Sequence, residues 1–194
     1  MIISPKHMKR IENFAFEKAK KQDYNHDKEH VVRTARLAWF IAKKERANQE
    51  VCYVAALLHD VAKDIKHHEA VGAQMASDFL KKSGFPDAFI EKVSHAIKYH
   101  GYKDIHKART PEAKIVFDAD KLQMIGPYSF CRVLSDFLVK EKHNLKDAVR
   151  MTKKAQETRF NKLQTRTARQ IMKKDHEFMK RFYELYDKWD VVKL

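Results

Sequence analysis

The chain has 194 residues, of which 44% are hydrophobic, with only four Gly and four Pro. That composition supports a packed core and weighs against disorder, and the shortage of turn residues weighs against a fold of many short strands. A formal net charge of +14 would draw anions such as nucleotides, polyphosphates or nucleic acid, and it also serves plain solubility.

Two cysteines, Cys52 and Cys131, form neither a disulfide framework nor a zinc pattern. The start, MIISPKHMKR, lacks an apolar run of signal-peptide length, and no stretch reaches the length of a membrane span. A soluble, cytoplasmic protein with reduced thiols and no membrane partner is expected.

Periodicity predicts helices throughout and no strand. A first helix over 5–20 carries Ile11, Phe14, Ala15 and Ala19, and a polar segment over 23–27 follows. The next helix, 28–46, has His30, Thr34, Leu37, Ala38 and Ile41 on its inner face. Another spans 49–63 on Val51, Val54, Ala55, Leu58 and Ala62. Helices over 67–82 and 87–100 follow, separated by Ser83-Gly84, and Gly101 breaks the second. Thr110 reads as an N-cap with Pro111 at the first helical position, and Gly126-Pro127 ends that helix. Residues 128–192 are helical and aromatic-rich. Thr167 with Gln170 reads as a capping box, and Phe178, Phe182, Leu185 and Trp189 read as a core-facing stripe. Residues 140–194 contain 16 Lys/Arg and 8 Asp/Glu, so the positive charge leans toward the C-terminal helices.

Four polar positions interrupt these apolar faces. His30 lies one turn before Thr34, Asp120 follows Val116 by four residues, and His59-Asp60 close the Leu57-Leu58 run. A buried His or Asp is costly unless something satisfies it. Two imidazoles and two carboxylates brought from three helices make a mixed donor set that suits Mn²⁺, Fe²⁺, Co²⁺, Ni²⁺ or Zn²⁺ and leaves Mg²⁺ open. Asp64, four residues after Asp60, is placed by that spacing to accept a proton from an activated water or to orient it. Arg33, Lys63 and Arg132 are candidate phosphate clamps.

The ordered residues His30, His59-Asp60 and Asp120 resemble the metal-binding motif of the HD-domain superfamily of metal-dependent phosphohydrolases, in particular its small single-domain members. His26-Asp27-Lys28-Glu29-His30-Val31-Val32-Arg33 is similar to the family's HDxxHxxRV segment, and Ala55 to Asp64 is similar to the text around the His-Asp pair. Asp118-Ala119-Asp120-Lys121-Leu122 resembles the family's DADRL run, with Lys121 where Arg is frequent. Gly126 and Arg132 fall where the related small hydrolases carry Gly and Arg. Pro127 to Cys131 depart from the usual Gly-containing stretch. The resemblance extends over roughly 10–190, essentially the whole chain.

It implies an all-α, single-domain HD-type bundle over 1–194, with the basic helices from about 140 packed on it. It implies an ion held by His30, His59, Asp60 and Asp120, with Asp64 and Lys63 as catalytic groups and Arg33 and Arg132 on substrate phosphate. His68 and His100 match positions that hold a second ion in two-metal relatives or contact phosphate. The expected activity is a metal-dependent phosphohydrolase acting on nucleotides, as monomer or homodimer, releasing pyrophosphate or phosphate. The alternatives are a hydrolase of signalling nucleotides and an HD-fold module that binds nucleic acid through its basic helices.

Overall fold

A computed structural model describes residues 3–21 and 25–190. Asp23 and Tyr24 of the predicted loop, and residues 191–192 of the predicted last helix, lie outside the described residues. Among the described residues the chain is all-α, with no strand and no helix long and apolar enough to cross a membrane. Its backbone contacts divide it into two compact units, 1–120 and 121–194.

The first unit contains helices α1 (Pro5–Ala19), α2 (Lys28–Glu45), α3 (Gln49–Leu58), α4 (His68–Lys82), α5 (Asp87–Lys98) and most of α6 (Pro111–Leu122), with a 3₁₀ turn at Ile105–Lys107. Local chemistry sets most of the starts. The Ser4 hydroxyl accepts the His7 N–H, with Pro5 next in line, and Asn48 Oδ1 accepts the Val51 N–H. Thr110 Oγ1 accepts the Ala113 N–H, as its sequence context predicts. At α2, Asp27 Oδ1 accepts the His30 N–H at 2.8 Å, so the cap secures the turn that carries His30.

α2 packs along α3, α4 along α5, and α3 against α5. The core they enclose includes Ala35, Ile41, Val54, Leu58, Leu80, Val93 and Ile97, each fully buried. Gly72 lets α4 approach closely: a Cβ there would already stand 3.6 Å from the His59 carbonyl and 3.7 Å from Ile97 Cγ2. Anything larger than Ala would push α4 away from the His-Asp pair.

One boundary differs from the sequence expectation. The helix predicted to run to 63 stops at Leu58, with His59 as its cap. Residues 59–66 continue as successive tight turns, with Val61 N–H donating to Leu58 O and Lys63 N–H to Asp60 O. The apolar spacing of Leu58 and Ala62 fits either conformation, so periodicity alone does not distinguish them. Asp64 therefore does not lie on a helical face shared with Asp60.

The second unit contains α7 (Gly126–Ser135), one wide π-type turn (Asp136–Lys140), α8 (Leu145–Asn161) and α9 (Arg166–Asp190). Gly126-Pro127, read as the end of one helix, is in fact the start of α7: Gly126 has φ +85° and Pro127 occupies the first turn. α8 and α9 pack on α7 through Phe130, Val149, Met179 and Tyr183. Gln156 on α8 donates to the Gly126 carbonyl and to Ser129 Oγ and accepts from the Tyr183 hydroxyl.

Two expectations for α9 are corrected. Its cap is Thr165, whose hydroxyl accepts the Ala168 N–H, and Thr167 already lies inside the helix. The buried face is Ala168, Met179 and Tyr183, and of the predicted stripe Phe182 packs against it, its ring 5.0 Å from that of Phe130, whereas Phe178, Leu185 and Trp189 are 56%, 47% and 80% exposed. Both stripes have helical spacing, and the contacts with α7 and α8 decide which one is covered.

Candidate metal centre

The first unit brings His30, His59, Asp60 and Asp120 together. Their exposures are 2%, 0%, 3% and 6%, so four ionisable side chains sit in a nearly dry site. His30 comes from the first turn of α2, His59 and Asp60 from the cap and the tight turn just past α3, and Asp120 from the last turns of α6. His30 Nε2 is 3.3 Å from His59 Nε2. Asp60 Oδ2 is 3.2 Å from His59 Nε2 and 3.8 Å from His30 Nε2. Asp120 Oδ1 lies 3.6 Å from His30 Nε2 and 3.9 Å from His59 Nε2.

Asp60 also faces the other way. Its Oδ1 is 3.7 Å from His100 Nε2 and 3.9 Å from His68 Nε2. One carboxylate thus presents one oxygen to each of two groups, His30–His59–Asp60 and Asp60–His68–His100, and in each group the donor atoms lie within 4.8 Å of one another. His59 forms the edge between them, its ring 5.3 Å from that of His30 and 5.2 Å from that of His100.

Two of the rings have a defined proton. A carbonyl can only accept, so His59 Nδ1 donates to Ala56 O at 2.7 Å and His100 Nδ1 donates to Ile97 O at 2.6 Å. Both Nε2 atoms are thereby turned toward Asp60 as donors for an ion. Burial opposes charge on His59, but the carboxylates of Asp60 and Asp120 outweigh it and raise its pKa from the ordinary histidine value. Burial likewise works against the Asp60 carboxylate, yet His59, His100 and Lys63 hold its pKa well below the usual range.

This donor set fits a divalent cation. Ligands about 2.1 Å from an ion stand about 3.0–3.4 Å from each other in octahedral or tetrahedral geometry. The closest contacts, 3.2 and 3.3 Å, already have that spacing.

The remaining candidates are less uniformly placed. Lys63 Nζ is 3.6 Å from Asp60 Oδ2, with its side chain 28% exposed. Arg33 is half-exposed on α2, 3.7 Å from Glu29. Asp64 is solvent-exposed in the turns after Asp60. Arg132 lies on α7 in the second unit. Sequence reading passed over Glu69, whose carboxylate is 3.5 Å from His68 Nδ1. An acid in the first turn of a helix ordinarily reads as a partner of the helix dipole, and only the fold shows what else it meets.

The HD domain family matches residues 28–125 of this chain. The protein YpgQ of Bacillus subtilis is 32% identical over 176 residues, covering 84% of this chain and 83% of its own. The crystal structure of a predicted HD superfamily hydrolase from an uncultured Thermotogales bacterium superposes with a TM-score of 0.69 at 28% identity, covering 94% of this chain and 93% of that one. The structure of Bacillus subtilis YpgQ in complex with ADP superposes with a TM-score of 0.78 at 24% identity over 96% and 95% of the two chains, a likeness of fold. Sequence match, fold and a buried His/Asp cluster that can hold a metal agree: the chain belongs to the HD-domain family of hydrolases.

Proposed function

We propose that this protein is a divalent-metal-dependent phosphohydrolase acting on nucleotides. The observation that carries the proposal is the convergence of His30, His59, Asp60 and Asp120 at 3.2–3.9 Å in a site almost closed to water. Those four side chains would hold the cation, and Asp60, His68 and His100 would hold a second ion or a substrate phosphate. The cation would supply the acidity that makes water a nucleophile near neutral pH and part of the positive charge that a reacting phosphate needs.

The protein's own groups do the rest. His59 and His100 keep their protons on Nδ1 and leave Nε2 directed inward. Lys63 stands beside the shared carboxylate and offsets negative charge there. Arg33 and Arg132 are assigned to non-bridging phosphate oxygens, where a guanidinium can bind two at once. The basic balance of the chain and the ADP bound by the fold neighbour YpgQ both favour a nucleotide over an uncharged substrate.

Product analysis over nucleoside mono-, di- and triphosphates, with Mn²⁺, Mg²⁺ and Co²⁺ supplied separately, tests this reading. Metal-dependent turnover that Asp60→Ala abolishes is expected, and the products identify the phosphorus attacked. Arg33→Ala should lower kcat/KM chiefly through KM. A folded wild-type protein that turns over no phosphate compound with any of these ions would overturn the proposal.

A further inference from the structure

His59 and His100 are fixed by one device, an Nδ1–H donated to the carbonyl three residues earlier. His68 cannot use it. His68 is the first residue of α4, and His67 ahead of it has left-handed backbone, φ 59° and ψ 40°, so no helical turn precedes the ring. Its Nε2 nonetheless lies 3.9 Å from Asp60 Oδ1.

What stands at the other ring nitrogen is Glu69, with Oε2 3.5 Å from His68 Nδ1. The Glu69 carboxylate in turn fills the space beside Gly101. A Cβ built at 101 would overlap Glu69 Oε1 and lie 3.1 Å from its Cδ. Gly101 does not share the left-handed backbone of Gly84 and Gly126. Its missing side chain, rather than its backbone freedom, is what the local structure uses. Position 101 also directly follows His100, so one short turn serves both histidines of the second group.

We propose that Glu69 is the positioning residue for His68: it accepts the Nδ1–H, aims Nε2 at the Asp60–His68–His100 group, and fits there because position 101 bears no side chain. The functional weight of this inference rests on the reading of that trio as a ligand site. A carboxylate behind a metal-binding imidazole fixes both tautomer and ring orientation. The competing role for Glu69 is simple compensation of the α4 dipole. The two roles separate cleanly, because a methyl group at 101 displaces the flexible end of Glu69 without removing its charge from the first turn.

The test is ¹⁵N NMR of the histidine rings in the full-length chain, comparing wild type with Glu69→Ala, Glu69→Gln, Gly101→Ala and the Glu69→Ala/Gly101→Ala pair, followed by calorimetric titration with Mn²⁺. In wild type His68 should be the Nδ1–H tautomer. Glu69→Ala and Gly101→Ala should each mix the tautomers, and Glu69→Gln, whose amide oxygen still accepts, should keep the wild-type form. Adding Gly101→Ala to Glu69→Ala should change nothing more, since the group it displaces is gone. The Mn²⁺ equivalent assigned to the trio should weaken about tenfold in Glu69→Ala, the lower end expected for such supporting groups because the contact is long. The equivalent at His30 and Asp120 should be unchanged. A His68 spectrum indifferent to both single substitutions overturns the proposal, even if two ions bind. A chain that binds one ion, but whose His68 tautomer depends on Glu69, upholds the proposal and removes the two-ion reading instead.

Discussion

Because Asp60 offers one oxygen to each histidine group, loss of its carboxylate should remove metal-dependent stabilisation altogether, whereas more peripheral substitutions should remove only a share. An ion that binds the folded chain alone stabilises it by about 2.7 kcal/mol at a concentration one hundred times its Kd. For a chain of this size 1 kcal/mol is worth about 2–4 °C, so one filled group should raise Tm by about 5–11 °C and two by about twice that. The assay is differential scanning calorimetry with and without Mn²⁺, reading the difference within each variant so that the metal-free cost of the substitution cancels. Asp60→Ala should show no Mn²⁺ shift. Asp120→Ala, whose carboxylate approaches His30 and His59, should keep the share of the second group, and His100→Ala should keep the share of the first. If Asp60→Ala retains the wild-type shift, Asp60 is not the shared ligand. If Asp120→Ala and His100→Ala each abolish the whole shift, the two groups do not act separately.

Gly126→Ala should lower the unfolding free energy by about 2–4 kcal/mol, combining the cost of left-handed backbone with overpacking, since the new Cβ would stand 2.9 Å from Asp175 Cβ. Gly84→Ala, at φ +81° with nothing within 4 Å, should cost only the backbone share, about 1 kcal/mol, and urea midpoints of the pair would expose equal costs if the packing argument fails. His176, stacked on Phe160 at 3.8 Å, has its pKa lowered by burial and by Lys180. Above the unfolded value of about 6.5 neither state is protonated there; as pH falls through it the unfolded chain gains a proton more readily, and stability is lost. His176→Phe should therefore compare more favourably with wild type at pH 5.5 than at pH 7.5, and an equal difference at the two pH values would refute this. The Cys52 thiol is fully buried, and burial, with Glu112 adding to it, pushes its pKa up, whereas Cys131 is exposed. Ellman's reagent should titrate one thiol in the native protein and the second only in denaturant, and rapid reaction of both would contradict the buried placement.

What the residue string determined on its own is what short-range physics controls. Thr110 caps a helix because its side-chain oxygen satisfies an N–H three residues on, and Thr34, Ala38 and Ile41 share a buried face because 3.6 residues complete a turn. His30, Asp60 and Asp120 stood out because polar residues on apolar faces require partners. Tertiary structure decided what depends on neighbours distant in sequence. The stop of α3 at Leu58 is one case, because Ala62 fits a helix or a turn equally well by spacing. The covered face of α9 is another, where Met179 and Tyr183 pack on α7 and α8 while Phe178 and Trp189 face water. The division of Asp60 between two histidine groups, and the meeting of Glu69 with both His68 and Gly101, also come from packing, which brings α3, α4 and the end of α5 within side-chain reach. Periodicity specifies which side of a helix can be buried; only the packed neighbours specify what it meets there.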